Sequence, residues 1–312
     1  MASRPGIRDV LWMASGAAVF LLLTMTVLHF HKEENPAEQL AFKARRIELV
    51  DRMRVALASA SEAEKSAVLA ITDEDSKVFA DQARAANTVV EQAQQQLDEL
   101  LRTGGTEKER DLLGQSSQAF ADVRRIDDDL LALAVKNTNL KAYDLTYGPA
   151  ANALDEMNGA LSALVAAHRD TPEGAKVTPL ALGAEIAGLR LQTMLPPHIA
   201  EENDQRMDQM EALMTQQDAE VRRDLDALRA LPDVSAADEL QTAVSAWAKF
   251  SELKVRILAL SRENTNVRSL TISLNRKRTV MLACQEALLA LRQAIDEEPV
   301  VGVTYGRPAK PR

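Results

Sequence analysis

Apolar and small residues recur along this chain at alternating spacings of three and four. No glycine or proline lies between Pro36 and Thr103, and Phe79, Ala83, Ala86, Val90, Ala93, Leu97 and Leu100 form a heptad seam. Gly104-Gly105 ends that pattern. Thr106, with Glu109 three residues on, reads as a capping box that opens a second helical stretch to about residue 168, with a kink expected at Gly148-Pro149. The loop DTPEGAKVTP follows at 170–179. A third stretch, 180–231, is expected to break or bend at Pro196-Pro197, where the N–H is missing and the ring clashes with the preceding turn. Met207, Met210 and Met214 share one of its faces and read as core filling. Pro232 ends it, and Ser235 is the expected cap of a fourth helix reaching about 296. The Pro/Gly-rich, basic segment 297–312 reads as a flexible tail.

The second and fourth stretches resemble each other. LLALAVKNTNL at 130–140 and ILALSRENTNV at 257–267 share the triplet Asn-Thr-Asn, and residues 130–164 agree with 257–291 at 10 of 35 positions at an offset of 127. The expected fold is all-α: one long antiparallel four-helix bundle, or two stacked helical modules, built from a duplicated helical hairpin (36–168 and 180–296, joined by the loop 169–179). An up-down-up-down bundle places the two related helices parallel, with their triplets at one height.

The fourth-helix seam continues Asn264, Val267, Thr271, Leu274, Arg278, Met281, Gln285, Leu288, and the matching second-helix seam runs through Asn137, Leu140 and Asp144. Asn137, Asp144, Asn264, Thr271 and Arg278 are therefore the candidate inward polar positions. One role is to fix register, because a buried polar group must find a partner. The other is to line a pocket for a small ligand.

Residues 10–31 contain no Asp, Glu, Lys or Arg. At ~1.5 Å per residue this stretch matches a bilayer's hydrocarbon thickness and reads as a transmembrane anchor. Arg4 and Arg8 favour a cytoplasmic 1–9, which places the rest of the chain outside a bacterial cytoplasmic membrane, in the periplasm. The charges beyond the anchor (Lys32, Lys43, Arg45, Arg46) leave the count balanced.

Composition narrows the chemistry. Aromatics make up 4% of the 312 residues and the net charge is −9, which suits helices and argues against nucleic acid as a partner. The single cysteine, Cys284, maps to a helix flank, where it reads as a tolerated thiol open to cross-linking. The acidic runs Thr72–Ser76 and Asp127-Asp128-Asp129 read as solvated faces. His29 and His31 read as interfacial residues, His168 as a helix end and His198 as a residue following the double proline. No nucleophile–base pair, glycine-rich phosphate loop or metal-ligand spacing stands out, so neither enzyme, cofactor nor metal is expected.

An apolar anchor leading into long helices, with EKSAVLAITDEDSKVFADQARAA at 64–86 and SRENTNVRSL at 261–270, resembles the extracytoplasmic sensing region of bacterial chemoreceptors and sensor kinases, of the four-helix-bundle type or the longer two-module type. The resemblance covers about residues 8–296. It implies small-ligand binding between helices and carries over no ligand residue by position. A second membrane span, a linker module and a signalling hairpin do not follow in this sequence. The first expectation is therefore a non-catalytic structural or accessory subunit of a membrane assembly, with protein partners or self-association. The second is an orphan chemoreceptor-like domain that binds a small ligand and signals through a partner.

Overall fold

A computed structural model describes residues 36–300, and every regular element among them is helical. The anchor expected at 10–31 and most of the tail lie outside the described residues. Among the described residues no helix is long and apolar enough to cross a membrane.

The stretch without glycine or proline is two helices, not one. Helix α1 (Pro36–Leu69) turns at residues 70–72 into α2 (Asp73–Gly104). The acidic run expected on a solvated face makes this turn. Thr72 caps α2 by accepting the Asp75 N–H, and Asp73, Glu74 and Asp75 place negative charge at the positive end of the helix. Ser76 is buried, its hydroxyl 2.8 Å from Ala67 O and 3.0 Å from Ala134 O. The expected capping box is formed: Glu109 N–H donates to Thr106 Oγ1 and Thr106 N–H to Glu109 Oε2.

A long rod follows, made of α3 (Glu107–Ala134), α4 (Thr138–Leu145), a π-helical turn (Thr146–Ala150) and α5 (Ala151–His168). The kink expected at Gly148-Pro149 is this π turn, whose wider coil accommodates a residue with no N–H to give. The second half of the chain repeats the plan. Helix α6 (Gly174–Ala200) turns at 201–203 into α7 (Asp204–Arg229). A second rod comprises α8 (Asp238–Glu263), α9 (Thr265–Ile272), a π turn (Ser273–Lys277) and α10 (Arg278–Glu297). Helix α6 continues through Pro196-Pro197 and ends only after Ala200, so the expected break falls a turn later. The expected cap Ser235 sits in the preceding turn, donating to Pro232 O, and α8 starts at Asp238.

The helices form two stacked four-helix modules. Module 1 packs α1, α2 and α3 with α10; module 2 packs α6, α7 and α8 with α5. Each repeat thus lends the far half of its long rod to the other repeat's module. Since α3 and α10 share one module and α5 and α8 the other, the two rods run antiparallel. The parallel arrangement expected from the duplicated sequence is corrected here: the repeat contains three rods rather than two, which reverses the direction of the next copy.

The module 1 core contains Leu49, Met53, Leu97, Leu101, Val123 and Leu288, and that of module 2 Leu154, Met157, Leu161, Leu191, Phe250 and Ile257. Met207 and Met214 are buried, with Met210 packed beside them, as core filling requires. The free end of module 1 is locked by Arg46, whose guanidinium meets Glu109 Oε2 at 2.6 Å and also contacts Glu298. Lys43 donates to the carbonyl oxygens of Asp296 and Glu298. The start of the expected tail is therefore tied to the first helix.

Candidate functional site

Two buried polar assemblies stand out, and the first lies where the modules meet. Asn137 and Asn264 are the only non-glycine residues with positive φ among those described, at 50° and 53°. Asparagine tolerates this left-handed geometry better than most side chains. One such residue stops a helix and restarts it, leaving new N-terminal N–H groups without intrahelical acceptors. Here each triplet caps the other. Thr138 N–H donates to Thr265 Oγ1, and Thr265 N–H to Thr138 Oγ1, both at 3.1 Å. Asn139 N–H donates to Asn266 Oδ1, and Asn266 N–H to Asn139 Oδ1. The side-chain amides extend the symmetry: Asn266 Nδ2 donates to Asn137 Oδ1, and Asn139 Nδ2 to Asn264 Oδ1. Asn137 Nδ2 reaches Thr72 O and Asn264 Nδ2 reaches Glu201 O, so each triplet also holds the short-hairpin turn of its own repeat. Asn137 further donates to Asp73, whose carboxyl is held below its usual range by Lys141 first and Asn137 second. Nearly every polar group here has a partner, which marks a structural joint.

The second assembly lies inside module 1. Lys277, on the π turn of the second rod, places Nζ 3.2 Å from Glu64 Oε2 of α1 and in contact with Asp127 Oδ1 of α3. Asn87 of α2 donates Nδ2 to Asp127 Oδ2 at 2.9 Å. All four residues are at most 2% exposed. One ammonium faces two carboxylates, so the formal charge of the layer is −1. Among the described residues, the acceptors Glu64 Oε1, Asn87 Oδ1 and Asp127 Oδ1 and the donor Lys277 Nζ are buried with no hydrogen-bond partner, the last two meeting only as an ion pair. An unpartnered buried acceptor destabilises by about 1–3 kcal/mol, and a buried ion pair is weak grounds for stability. The layer thus keeps acceptor capacity that its own residues leave unused, at a cost to the fold.

Module 2 holds the corresponding layer in another form. At the rod offset of 127, Asp127 corresponds to Lys254 and Lys277 to Ala150. The buried positions Ser76, Ala83, Val90 and Leu97 of α2 match Met207, Met214, Val221 and Leu228 of α7 at an offset of 131, which sets Asp218 opposite Asn87. Lys254 Nζ meets Asp218 Oδ1 at 3.1 Å at a less enclosed position, and the pair is balanced. Only module 1 encloses an excess of negative charge in this layer.

Of the five candidate positions, Asn137 and Asn264 enter the joint, each through the opposite triplet's third residue. Asp144 and Arg278 are exposed and Thr271 is half-buried, so the predicted inward seam is corrected beyond the triplets. The reasons are the helix restart at each left-handed asparagine, which shifts the phase ahead of Asp144 and Thr271, and the π turn that follows, which keeps it shifted at Arg278. Buried positions on the second rod run Thr265, Ser269, Ser273, Lys277, Met281, always four apart, and Thr138, Ala142, Thr146, Ala150, Leu154 do the same on the first. A heptad read through this stretch slips off the buried face. That slip concealed Lys277 behind Arg278 and put Cys284 on a flank, whereas its side chain is fully buried and burial pushes the thiol up to about 11. Asp127 was concealed by its neighbours: two of three consecutive aspartates face solvent and the first points inward.

His198 forms a third buried group. Its Nδ1 lies 2.8 Å from Ser261 Oγ and its Nε2 3.0 Å from Glu211 Oε1. Ser261 Oγ also lies 3.0 Å from His198 O, its one proton serving either that carbonyl or Nδ1, and the hydroxyl is fully buried, so the group fastens α6 to α8. Desolvation holds the imidazole below its usual pKa, opposed by Glu211. Among the described residues no cluster of His, Cys, Asp or Glu has metal-holding geometry.

Residues 46–174 match the family of the four helix bundle sensory module for signal transduction. No curated protein compared with the chain matches it. The family match bears out the resemblance to the sensing region of chemoreceptors. It runs from Arg46 in α1 to the first residue of α6, so it holds three of the four helices of module 1 and three of the four residues of the charged layer. The fourth helix, α10, and Lys277 on the π turn before it, come from the second repeat.

Proposed function

We propose that this protein is a ligand-sensing module of the chemoreceptor type, which receives a small polar ligand at the Glu64–Asn87–Asp127–Lys277 layer of module 1. The membrane anchor at 10–31, the periplasmic setting and a protein partner for the signal belong to the same proposal. The observation that carries it is the enclosed charge imbalance with three unpartnered acceptors, on the helices that match a sensory family. The scaffold reading explains the triplets, whose polar groups are paired, but gives no reason for the layer. The layer also suits transmission. Lys277 belongs to a rod that spans both modules, so any shift at its ammonium bears on the joint at Thr265 three turns away.

The test is thermal unfolding of the full-length protein in mild detergent against a library of small ionic metabolites. A ligand that binds only the folded form stabilises it by about 2.7 kcal/mol at a hundred times its Kd. A midpoint rise abolished by a substitution in the layer, Glu64→Gln for a cationic ligand or Lys277→Met for an anionic one, supports the proposal. A library with no active member supports the scaffold reading.

A further inference from the structure

We propose that the ligand of module 1 is a small organic cation bearing a primary ammonium group, a proposal that rests on the sensing function above. The charges point to this class. A carboxylate ligand would have to draw Lys277 away from two anionic partners that already hold it, at Glu64 Oε2 and Asp127 Oδ1. An ammonium finds what it needs in place: a layer with an excess negative charge and oxygens without a hydrogen-bond partner. An ammonium donates three hydrogen bonds and accepts none, so it matches the three orphan acceptors Glu64 Oε1, Asn87 Oδ1 and Asp127 Oδ1; the one orphan donor, Lys277 Nζ, is already held in ion pairs by Glu64 and Asp127.

The way in has the same sign. An open groove of about 630 Å³ runs between α2 and α3, the sparsely packed side of module 1. Glu91 and Arg124 close it with an ion pair at 3.2 Å. Glu91 lies one helical turn from Asn87 and Arg124 one turn from Asp127, so this pair sits one turn along the bundle from the charged layer. Asp128 and Asp129 line the groove with no ion partner among the described residues, while Arg125 is engaged by Asp122. The rim, like the interior, is left with excess negative charge. A short diamine satisfies both places, one ammonium at the buried acceptors and the other at Asp128 and Asp129.

Isothermal titration calorimetry on the full-length protein tests this with three probes: 1,4-diaminobutane, ammonium chloride, and succinate as a four-carbon ligand of opposite charge. The expected result is binding of diaminobutane, weakened at least tenfold by Glu64→Gln and severalfold by the exposed double variant Asp128→Asn/Asp129→Asn, with no heat from succinate. The rim variant leaves the core untouched and decides the matter if Glu64→Gln does not fold. Tighter binding of diaminobutane than of ammonium supports the two-point mode, and equal affinity confines the same ammonium chemistry to the buried acceptors. Succinate binding that Lys277→Met abolishes overturns the cation while leaving the sensing function standing. No heat from any amine, or an amine affinity unmoved by both variants, overturns the proposal; the metabolite library then judges the sensing function separately.

Discussion

The hydroxyls of Thr138 and Thr265 meet at 3.1 Å, and each also accepts the other residue's backbone N–H. Two helices that restart at one point cap each other with side chains they both carry, so neither start is complete without its partner. This reciprocity answers why Asn-Thr-Asn occurs twice 127 residues apart: the triplet is a half-joint, and the duplicated chain supplies both halves.

Thr138→Val and Thr265→Val each remove one cap and leave a buried N–H without an acceptor. Each is expected to destabilise by about 1–2 kcal/mol. The double variant is expected to lose less than the sum, because the first substitution already breaks the hydroxyl–hydroxyl contact. Urea denaturation of the four proteins gives the coupling; strict additivity would show that the caps act independently.

Asn264 carries both backbone and hydrogen-bond duties. Asn264→Gly keeps the left-handed turn but loses the bonds to Glu201 O and from Asn139 Nδ2. Asn264→Ala loses the same bonds and also strains the backbone by about 1–2 kcal/mol. The alanine variant should therefore be the less stable of the two by that margin, net of the roughly 0.4–1 kcal/mol that glycine's freer unfolded chain takes from the glycine variant. Equal stabilities in a thermal melt would mean that the φ of 53° imposes no strain.

Cys284 should resist thiol reagents in the native protein. It is fully buried and its pKa lies at about 11, so the reactive thiolate is scarce at neutral pH and shielded from solvent. Labelling by a maleimide is expected to be at least tenfold slower in buffer than in denaturant. Rapid native labelling, or an oxidised dimer through this residue, contradicts the packing around Leu288 and Met281.

Much of this architecture is legible in the sequence. The Thr106–Glu109 box, the 127-residue repeat and the helix-forming composition all act within a few residues, or by plain identity. The turn at residues 70–72 was not, because it uses neither glycine nor proline: Thr72 and three acids end one helix by starting another. Rod direction depends on counting that turn. The charged layer escaped for a different reason. Its members come from four helices, and the helix restart at Asn264 with the π turn after it places Lys277 inward and Arg278 outward. Periodicity is a local signal, and it loses phase where the helix changes its pitch.

Acid should loosen the fastening between α6 and α8. Burial depresses the His198 pKa in the folded state, so the unfolded chain binds the proton more readily. The stability from the neutral imidazole is complete above its ordinary pKa of about 6.5 and is lost as pH falls below it. Glu211, held low chiefly by Arg262, adds a second loss as pH drops through the carboxylate range. His198→Gln is expected to flatten the stability–pH curve between neutral and mildly acidic pH. A variant with the wild-type slope there would place the titration elsewhere.

Lys277→Met separates the charged layer from ordinary core packing. Removing the ammonium leaves Glu64 and Asp127 buried without a counter-ion, and breaking such a pair typically destabilises by about 3–5 kcal/mol. If charge is the cause, neutralising the orphaned acids must repair the loss. The triple variant Lys277→Met/Glu64→Gln/Asp127→Asn is expected to recover most of it, since amides match carboxylates in shape and carry no charge. If the loss came instead from the shape of the π turn at 273–277, the triple variant would stay as unstable as Lys277→Met alone. Urea midpoints of the three proteins therefore discriminate between the two causes. Recovery of stability in a triple variant that has lost the amine binding of the wild-type protein would show that the layer is held together by charge and that the same charge is what the ligand reads.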